Sequence, residues 1–245
     1  MGFIRGCVRY TFMAYFKLFH RIDEIGRENI PKTGPYIMCS NHIHWLDPVL
    51  YVCETPRMVY AVGKEELFSN KIKGFIMRRL GVIPVSREVR GDNKDSLAEA
   101  KSRIEQGNLF LIYPEGTRFG FKKGVKPKKG IALLAMETKV PIIPMAMVGS
   151  FKPFTRIRFK IDKPMDISEF YPKDGEKPNL RNMVTLTNKV VERIIELRDS
   201  INTPKIEAQM NEAEEKREKK KALKEAKKQA KLQKIEERKQ LKGEN

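Results

Sequence analysis

The chain has 245 residues, 40% of them hydrophobic, which suits one sizeable α/β domain and excludes wholesale disorder. Its 49 basic residues against 31 acidic ones give a net charge of +18, a surface drawn to polyanions: nucleic acid, anionic lipid or phosphorylated small molecules. Three cysteines (Cys7, Cys39, Cys53) without metal-like spacing argue against a disulfide scaffold or zinc module, and no apolar run approaches the roughly 20 residues of a spanning helix.

The chain opens with MGFIRGCVRYTFMAYFKLFH, aromatic or aliphatic almost throughout and free of acids before Asp23. On a helix, Arg5, Arg9 and Lys17 fall within an arc of about 120°. Phe3, Ile4, Val8, Phe12, Tyr15, Phe16 and Phe19 supply most of the rest of the wheel. Residues 1–25 therefore read as a basic amphipathic helix lying in a lipid interface, its cations toward an anionic leaflet. A core helix that snorkels its cations is the alternative. Arg9 and Lys17 break up any signal-peptide apolar region.

Residues 26–203 alternate between strand-like and helix-like segments. Apolar runs occur at Tyr36–Ser40, Met58–Val62, Val82–Val85, Leu109–Tyr113, Ile142–Val148 and Ile157–Ile161. Helical patterns occupy Lys94–Gln106, which stops at Gly107, as well as Gly130–Thr138 and Leu180–Arg198. This alternation predicts a single α/β domain with a mixed, largely parallel sheet flanked by helices. Residues 204–245 form a charged tail, helical or partly disordered. It has no aromatic residue on which bases could stack, so nucleic acid is not the expected partner.

Three polar clusters follow predicted strands, where ligands sit in such sheets. After Tyr36–Ser40 comes Asn41-His42-Ile43-His44-Trp45-Leu46-Asp47-Pro48. On a continuous helix His42 and Asp47 would lie about 140° apart, so pairing them requires a strand-to-helix turn. There Asp47 could accept one imidazole N–H and leave the other nitrogen as a general base. A packed core histidine is the alternative. After Leu109–Tyr113 comes Pro114-Glu115-Gly116-Thr117-Arg118, a turn in which Arg118 could hold a phosphate and Glu115 could orient Arg118 or the backbone. After Val82–Val85, Arg87 is a second candidate phosphate ligand, with a surface ion pair as the alternative, and Lys64 joins the same set.

In order, these clusters resemble the glycerolipid acyltransferases of the 1-acylglycerol-3-phosphate acyltransferase family. Asn41, His42 and Asp47 match the N-H-x-x-x-x-D block. Gly81 to Arg87 is similar to the second, G-x-I-x-V-x-R block, with Pro84 where Phe or Ile is more typical. Tyr113 to Arg118 matches the aromatic-P-E-G-T-R block, and Val140 to Pro144 the V-P-I-I/V-P block. His44 occupies a place where the family usually has Ser. The resemblance covers roughly Ile30 to Phe170.

The resemblance implies transfer of a fatty acyl group from acyl-CoA or acyl-carrier protein to the sn-2 hydroxyl of 1-acylglycerol 3-phosphate, giving phosphatidate. Another lysophospholipid or glycerol 3-phosphate is the alternative acceptor. It implies His42 as base and Asp47 as its orienting partner, with Arg118, Arg87 and Lys64, alongside Glu115, Gly116 and Thr117, binding the acceptor. Backbone N–H groups near His42 would stabilise the oxyanion. No metal or prosthetic group is implied. The expected setting is the cytoplasmic face of a membrane, held peripherally on anionic lipid. A basic lipid- or RNA-binding protein that has lost turnover is the competing class.

Overall fold

All six apolar runs become strands, and a seventh strand precedes them. In this computed structural model, which describes residues 3–85, 94–122 and 124–243, the strands are β1 (His20–Ile25), β2 (Tyr36–Ser40), β3 (Val59–Lys64), β4 (Val82–Val85), β5 (Leu109–Ile112), β6 (Ile142–Gly149) and β7 (Thr155–Ile161). They form one sheet in the order β1-β7-β6-β2-β5-β3-β4. Every pairing is parallel except β6 with β7. The sheet is mixed and largely parallel, as the alternation predicts.

Parallel neighbours need long crossovers, and helices supply them. The sequence patterns yield α4 (Lys94–Glu105), α5 (Gly130–Thr138) and α6 (Leu180–Ile201). Two shorter helices, α2 (Asp47–Glu54) and α3 (Lys71–Arg79), carry β2 to β3 and β3 to β4. One sheet face is covered by Ala100 and Ile104 of α4, Ile131 and Leu134 of α5, and Leu186, Val190 and Ile194 of α6, packed on Ile37, Phe110 and Ile142. The central strands are buried on both faces, which is why β2, β5 and β6 read as unbroken apolar runs.

β1 escapes the sequence pattern because it is a charged edge. Asp23 pairs with Arg158 at 2.9 Å and Arg156 at 3.3 Å on β7, so its polarity is matched by the neighbouring strand. Residues 20–25 are thus part of the sheet rather than of the N-terminal helix. That helix, α1 (Phe3–Phe19), packs on α2 and β1. Its orientation corrects the expectation of a lipid-facing cationic stripe. Arg5 is 6% exposed; it donates to the Arg57 carbonyl at 2.7 Å and touches the Met58 sulfur. Arg9 donates to the Cys53 carbonyl at 3.1 Å, near the end of α2. The arginines turn inward because α2 and the segment after it offer carbonyls that need donors. The outward face instead carries Cys7, Tyr10, Thr11, Ala14 and Leu18, with Lys17 also exposed. Tyr10 is 69% and Leu18 71% exposed. None of the described helices is long and apolar enough to cross a membrane.

A second unit, Thr203–Asn245, consists of one long helix, α7 (Pro204–Gly243), built from strong helix formers. Pro204 stands at its start, where a missing N–H costs nothing.

Candidate active site

Four consecutive neighbours, β2, β5, β3 and β4, run parallel, so their carboxyl ends share one edge of the sheet. His42 follows β2, Glu115 to Arg118 follow β5, and Lys64 ends β3. Arg87, after β4, lies outside the described residues. With strands 4.7–4.9 Å apart, Lys64 stands roughly 10 Å from the His42 strand. It is half exposed and 3.9 Å from Glu66.

The strand-to-helix turn that pairing demands is present. Residues 41–46 leave β2 without helical structure, and α2 begins at Asp47 with Pro48 in its first turn. The Asp47 carboxylate then folds back over the turn. Its Oδ2 lies 2.8 Å from His42 Nδ1 and accepts the N–H groups of Ile43 at 2.7 Å and His44 at 2.9 Å. A carboxylate only accepts, so Nδ1 carries the ring proton and Nε2 is left as the basic nitrogen. Asp47 is fully buried while the His42 side chain is 17% exposed. The imidazole also stacks on Tyr113, with ring centres 4.3 Å apart.

Two further side chains hold the turn. Asn41 spans to β6, donating to the Met147 carbonyl and accepting the Met147 N–H, both at 2.8 Å. Glu115 accepts the His42 N–H at 2.7 Å and the Phe121 N–H at 2.8 Å. The sequence offers two readings of Glu115, acceptor binding and orientation of Arg118 or the backbone, and the geometry fits the backbone role. Glu115 is buried, and both carboxylate oxygens are occupied by backbone, so it orients the backbone of the His42 turn. Burial pushes its pKa up to about 7, against the pull of the backbone donors His42, Phe121 and Gly120. A Cβ at Gly120 would come within 2.7 Å of the Glu115 Cβ, so glycine makes room for this carboxylate. Asn41 is part of the recognised motif, yet only the structure reveals what it ties together.

The loop carrying Arg118 is tied to the same turn. The Phe119 N–H donates to the His42 carbonyl at 2.6 Å. Gly116 adopts a left-handed φ of 59°, and a Cβ there would strike the Lys128 side chain at 2.6 Å. Gly116, Thr117 and Arg118 are half-buried beside this turn. The Arg118 guanidinium acts electrostatically on His44, whose pKa falls to about 4, chiefly through burial. The structure thus brings together His42, Asp47, Glu115 and the Gly116–Arg118 loop, and sets Lys64 further along the same edge.

The expectation that backbone N–H groups of the His42 turn face an oxyanion does not hold for the groups assigned above. Those of His42, Ile43 and His44 donate to Glu115 or Asp47. They close the turn instead of lining the cleft.

A buried Asp–His pair beside an arginine-bearing loop, at the carboxyl edge of an α/β sheet, has the parts for deprotonating a hydroxyl near a bound anion. The chain belongs to the acyltransferase family: the family model described as acyltransferase matches residues 21–148. Among its relatives is the 1-acyl-sn-glycerol-3-phosphate acyltransferase of Bacillus subtilis, 26% identical over 183 residues, covering 72% of this chain and 87% of that protein. The protein of the same name from Streptococcus pneumoniae is 28% identical, covering 70% of this chain and 62% of that one. The human 1-acyl-sn-glycerol-3-phosphate acyltransferase alpha is 30% identical over 55% of this chain, which spans 47% of its length. The crystal structure of the 1-acyl-sn-glycerophosphate acyltransferase PlsC from Thermotoga maritima superposes with a TM-score of 0.56. It is 26% identical, covering 79% of this chain and 78% of that one.

Proposed function

We propose that the protein is a 1-acyl-sn-glycerol-3-phosphate acyltransferase that uses a thioester, acyl-CoA or acyl-carrier protein, as donor. The observation carrying this reading is the 2.8 Å contact between His42 Nδ1 and a fully buried Asp47, which leaves Nε2 as the acceptor nitrogen.

Nε2 of His42 takes the proton of the sn-2 hydroxyl as its oxygen attacks the thioester carbonyl carbon. The carbonyl electron pair moves onto oxygen, and Asp47 stabilises the imidazolium that forms. Collapse of the intermediate restores the carbonyl, breaks the carbon–sulfur bond and sends the proton from His42 to the departing thiolate. Arg118 with Gly116 and Thr117, Lys64 and Arg87 hold the acceptor's phosphate, so the hydroxyl arrives already oriented. The carboxylate of Glu115 acts on substrate through the backbone of His42.

The acceptor and product are bilayer lipids, and the exposed apolar residues support a docking face. Besides Tyr10 and Leu18, Phe154 is 83% exposed, and its ring lies 5.9 Å from Phe19 at the end of α1. Trp45, next to His44 on the catalytic turn, is exposed as well. This reading keeps the peripheral membrane setting, at a cytoplasmic face, but assigns lipid contact to the exposed face of α1 that carries Tyr10 and Leu18.

Thiol release from acyl-CoA in the presence of 1-acylglycerol 3-phosphate tests the reaction. Acceptor-dependent release is expected, with no such release from His42→Ala. Release that ignores the acceptor, or an active His42→Ala, would contradict it.

A further inference from the structure

The backbone of the catalytic turn consumes most of its own donors. The N–H groups of His42, Ile43 and His44 go to carboxylates. That of Asp47 goes to the His44 carbonyl at 3.2 Å. The N–H of Leu46 goes to His44 Nδ1 at 3.3 Å. An acyl transfer still generates an oxyanion beside His42, and oxyanions need aimed donors.

The bond from Leu46 points to a side-chain donor on the same turn. Because His44 Nδ1 accepts a hydrogen bond, the neutral ring carries its proton on Nε2. That nitrogen makes no hydrogen bond among the described residues, nor is it among the sealed polar atoms that lack a partner. The ring plane is set by stacking on Phe151, with centres 4.5 Å apart and planes 14° from parallel. Its backbone is pinned to Asp47, the residue that also holds His42.

Building on the acyltransferase reading, we propose that His44 donates its Nε2–H to the thioester carbonyl oxygen as that oxygen becomes the tetrahedral oxyanion. When the hydroxyl oxygen bonds to the carbonyl carbon, the displaced π pair settles on oxygen and accepts this hydrogen bond. When the carbon–sulfur bond breaks, the pair returns to the carbonyl and the bond to His44 weakens. No proton leaves His44 at any stage.

A neutral imidazole suits this task. Burial, with the positive charge of Arg118 and the neighbouring His42 and His20, holds its pKa near 4 despite Asp47. The ring is therefore uncharged at neutral pH. A second cation two residues from His42 would make that base harder to protonate. A neutral donor strengthens its bond only as charge develops, which is what lowers a barrier.

The test uses the full chain with an acyl-CoA and 1-acylglycerol 3-phosphate. His44→Phe keeps a ring against Phe151 and removes the donor; His44→Gln returns an amide N–H near the Nε2 position. The expected result is a fall in kcat of about 10²–10³-fold in His44→Phe with acceptor KM within about twofold, and at least about tenfold recovery in His44→Gln. Nitrogen-15 NMR of the imidazole in the wild type should show His44 neutral and protonated on Nε2 at pH 7. An unchanged kcat in His44→Phe, a raised acceptor KM at unchanged kcat, or an Nδ1-protonated ring would overturn the assignment. A wild type without acceptor-dependent thiol release would overturn the acyltransferase reading beneath it, an outcome distinct from an active wild type with an indifferent His44→Phe.

Discussion

A single oxygen, Oδ2 of Asp47, holds both the imidazole of His42 and the backbone that carries it. It meets His42 Nδ1 at 2.8 Å and the Ile43 and His44 N–H groups at 2.7 and 2.9 Å. Asp47→Asn keeps the shape but sets an amide N–H₂ among donors. It is expected to lower kcat by about 10²–10⁴-fold and to cost about 1–3 kcal/mol of stability. Steady-state kinetics and urea denaturation on the same preparation check both. A stable, fully active variant would remove Asp47 from the mechanism.

That pairing was only partly legible in the sequence. Helical spacing sets residues 42 and 47 on different faces, and Pro48 hinted at a helix start, but the break between β2 and α2 had to be seen. The buried strands were easy because two-sided burial makes unbroken apolar runs. β1 is hidden because HRIDEI carries four ionisable residues, and the partners of its Asp23, Arg156 and Arg158, lie on β7, with Arg158 standing 135 positions further along the chain. α2 is legible only as the helix start at Pro48, and α3, KIKGFIMRR, has a glycine near its centre and basic residues at both ends that blur an apolar period. The α1 wheel groups Arg5, Arg9 and Lys17 on one outward arc, whereas Arg5 and Arg9 turn inward with Phe16 and only Lys17 of the three is exposed, since the carbonyls that draw the arginines in belong to residues 53 and 57. Glu115 was identified as a site residue, but its role depends on the backbone of His42, 73 positions away.

Two buried titrating groups at the site pull stability in opposite directions. The Glu115 pKa is raised to about 7 by burial, so the folded chain binds more protons than the unfolded one between about pH 4.5 and 7. Stability from this group falls as pH rises through that window. The His44 pKa is lowered to about 4, so the unfolded chain binds more protons between about pH 4 and 6.5, and stability rises with pH there. Each contribution is on the order of 3 kcal/mol at most. Urea denaturation from pH 4 to 8 should show His44→Gln losing stability more steeply than wild type as pH rises, and Glu115→Gln gaining it more steeply. Parallel curves for all three proteins would contradict these assignments.

Tyr113 lies under the His42 ring with its hydroxyl buried and without a partner. Tyr113→Phe retains the stacking surface and removes an unsatisfied polar atom. Its unfolding free energy is expected to rise by about 1 kcal/mol or more, with kcat within about twofold of wild type. A destabilised or inactive variant would show that the hydroxyl has a role in the site.

The outer face of α1, with Tyr10 and Leu18, and the neighbouring Phe154 should carry membrane binding. Leu18→Asp with Phe154→Asp alters exposed positions and leaves Phe16 and the inward arginines in place. Sedimentation with anionic liposomes should fall at least about tenfold while the thermal midpoint stays put, because each apolar side chain withdrawn from the interface forfeits roughly 1.5–3 kcal/mol. Unchanged sedimentation would move the docking face elsewhere.

The most direct test concerns His42 as the base that activates the acceptor hydroxyl. The measurement is the turnover number for acyl transfer to 1-acylglycerol 3-phosphate by His42→Ala and wild type, with thermal melting as a check on folding. The predicted result is a folded variant whose turnover falls by about 10²–10⁴-fold. A folded His42→Ala that turns over at the wild-type rate would contradict it.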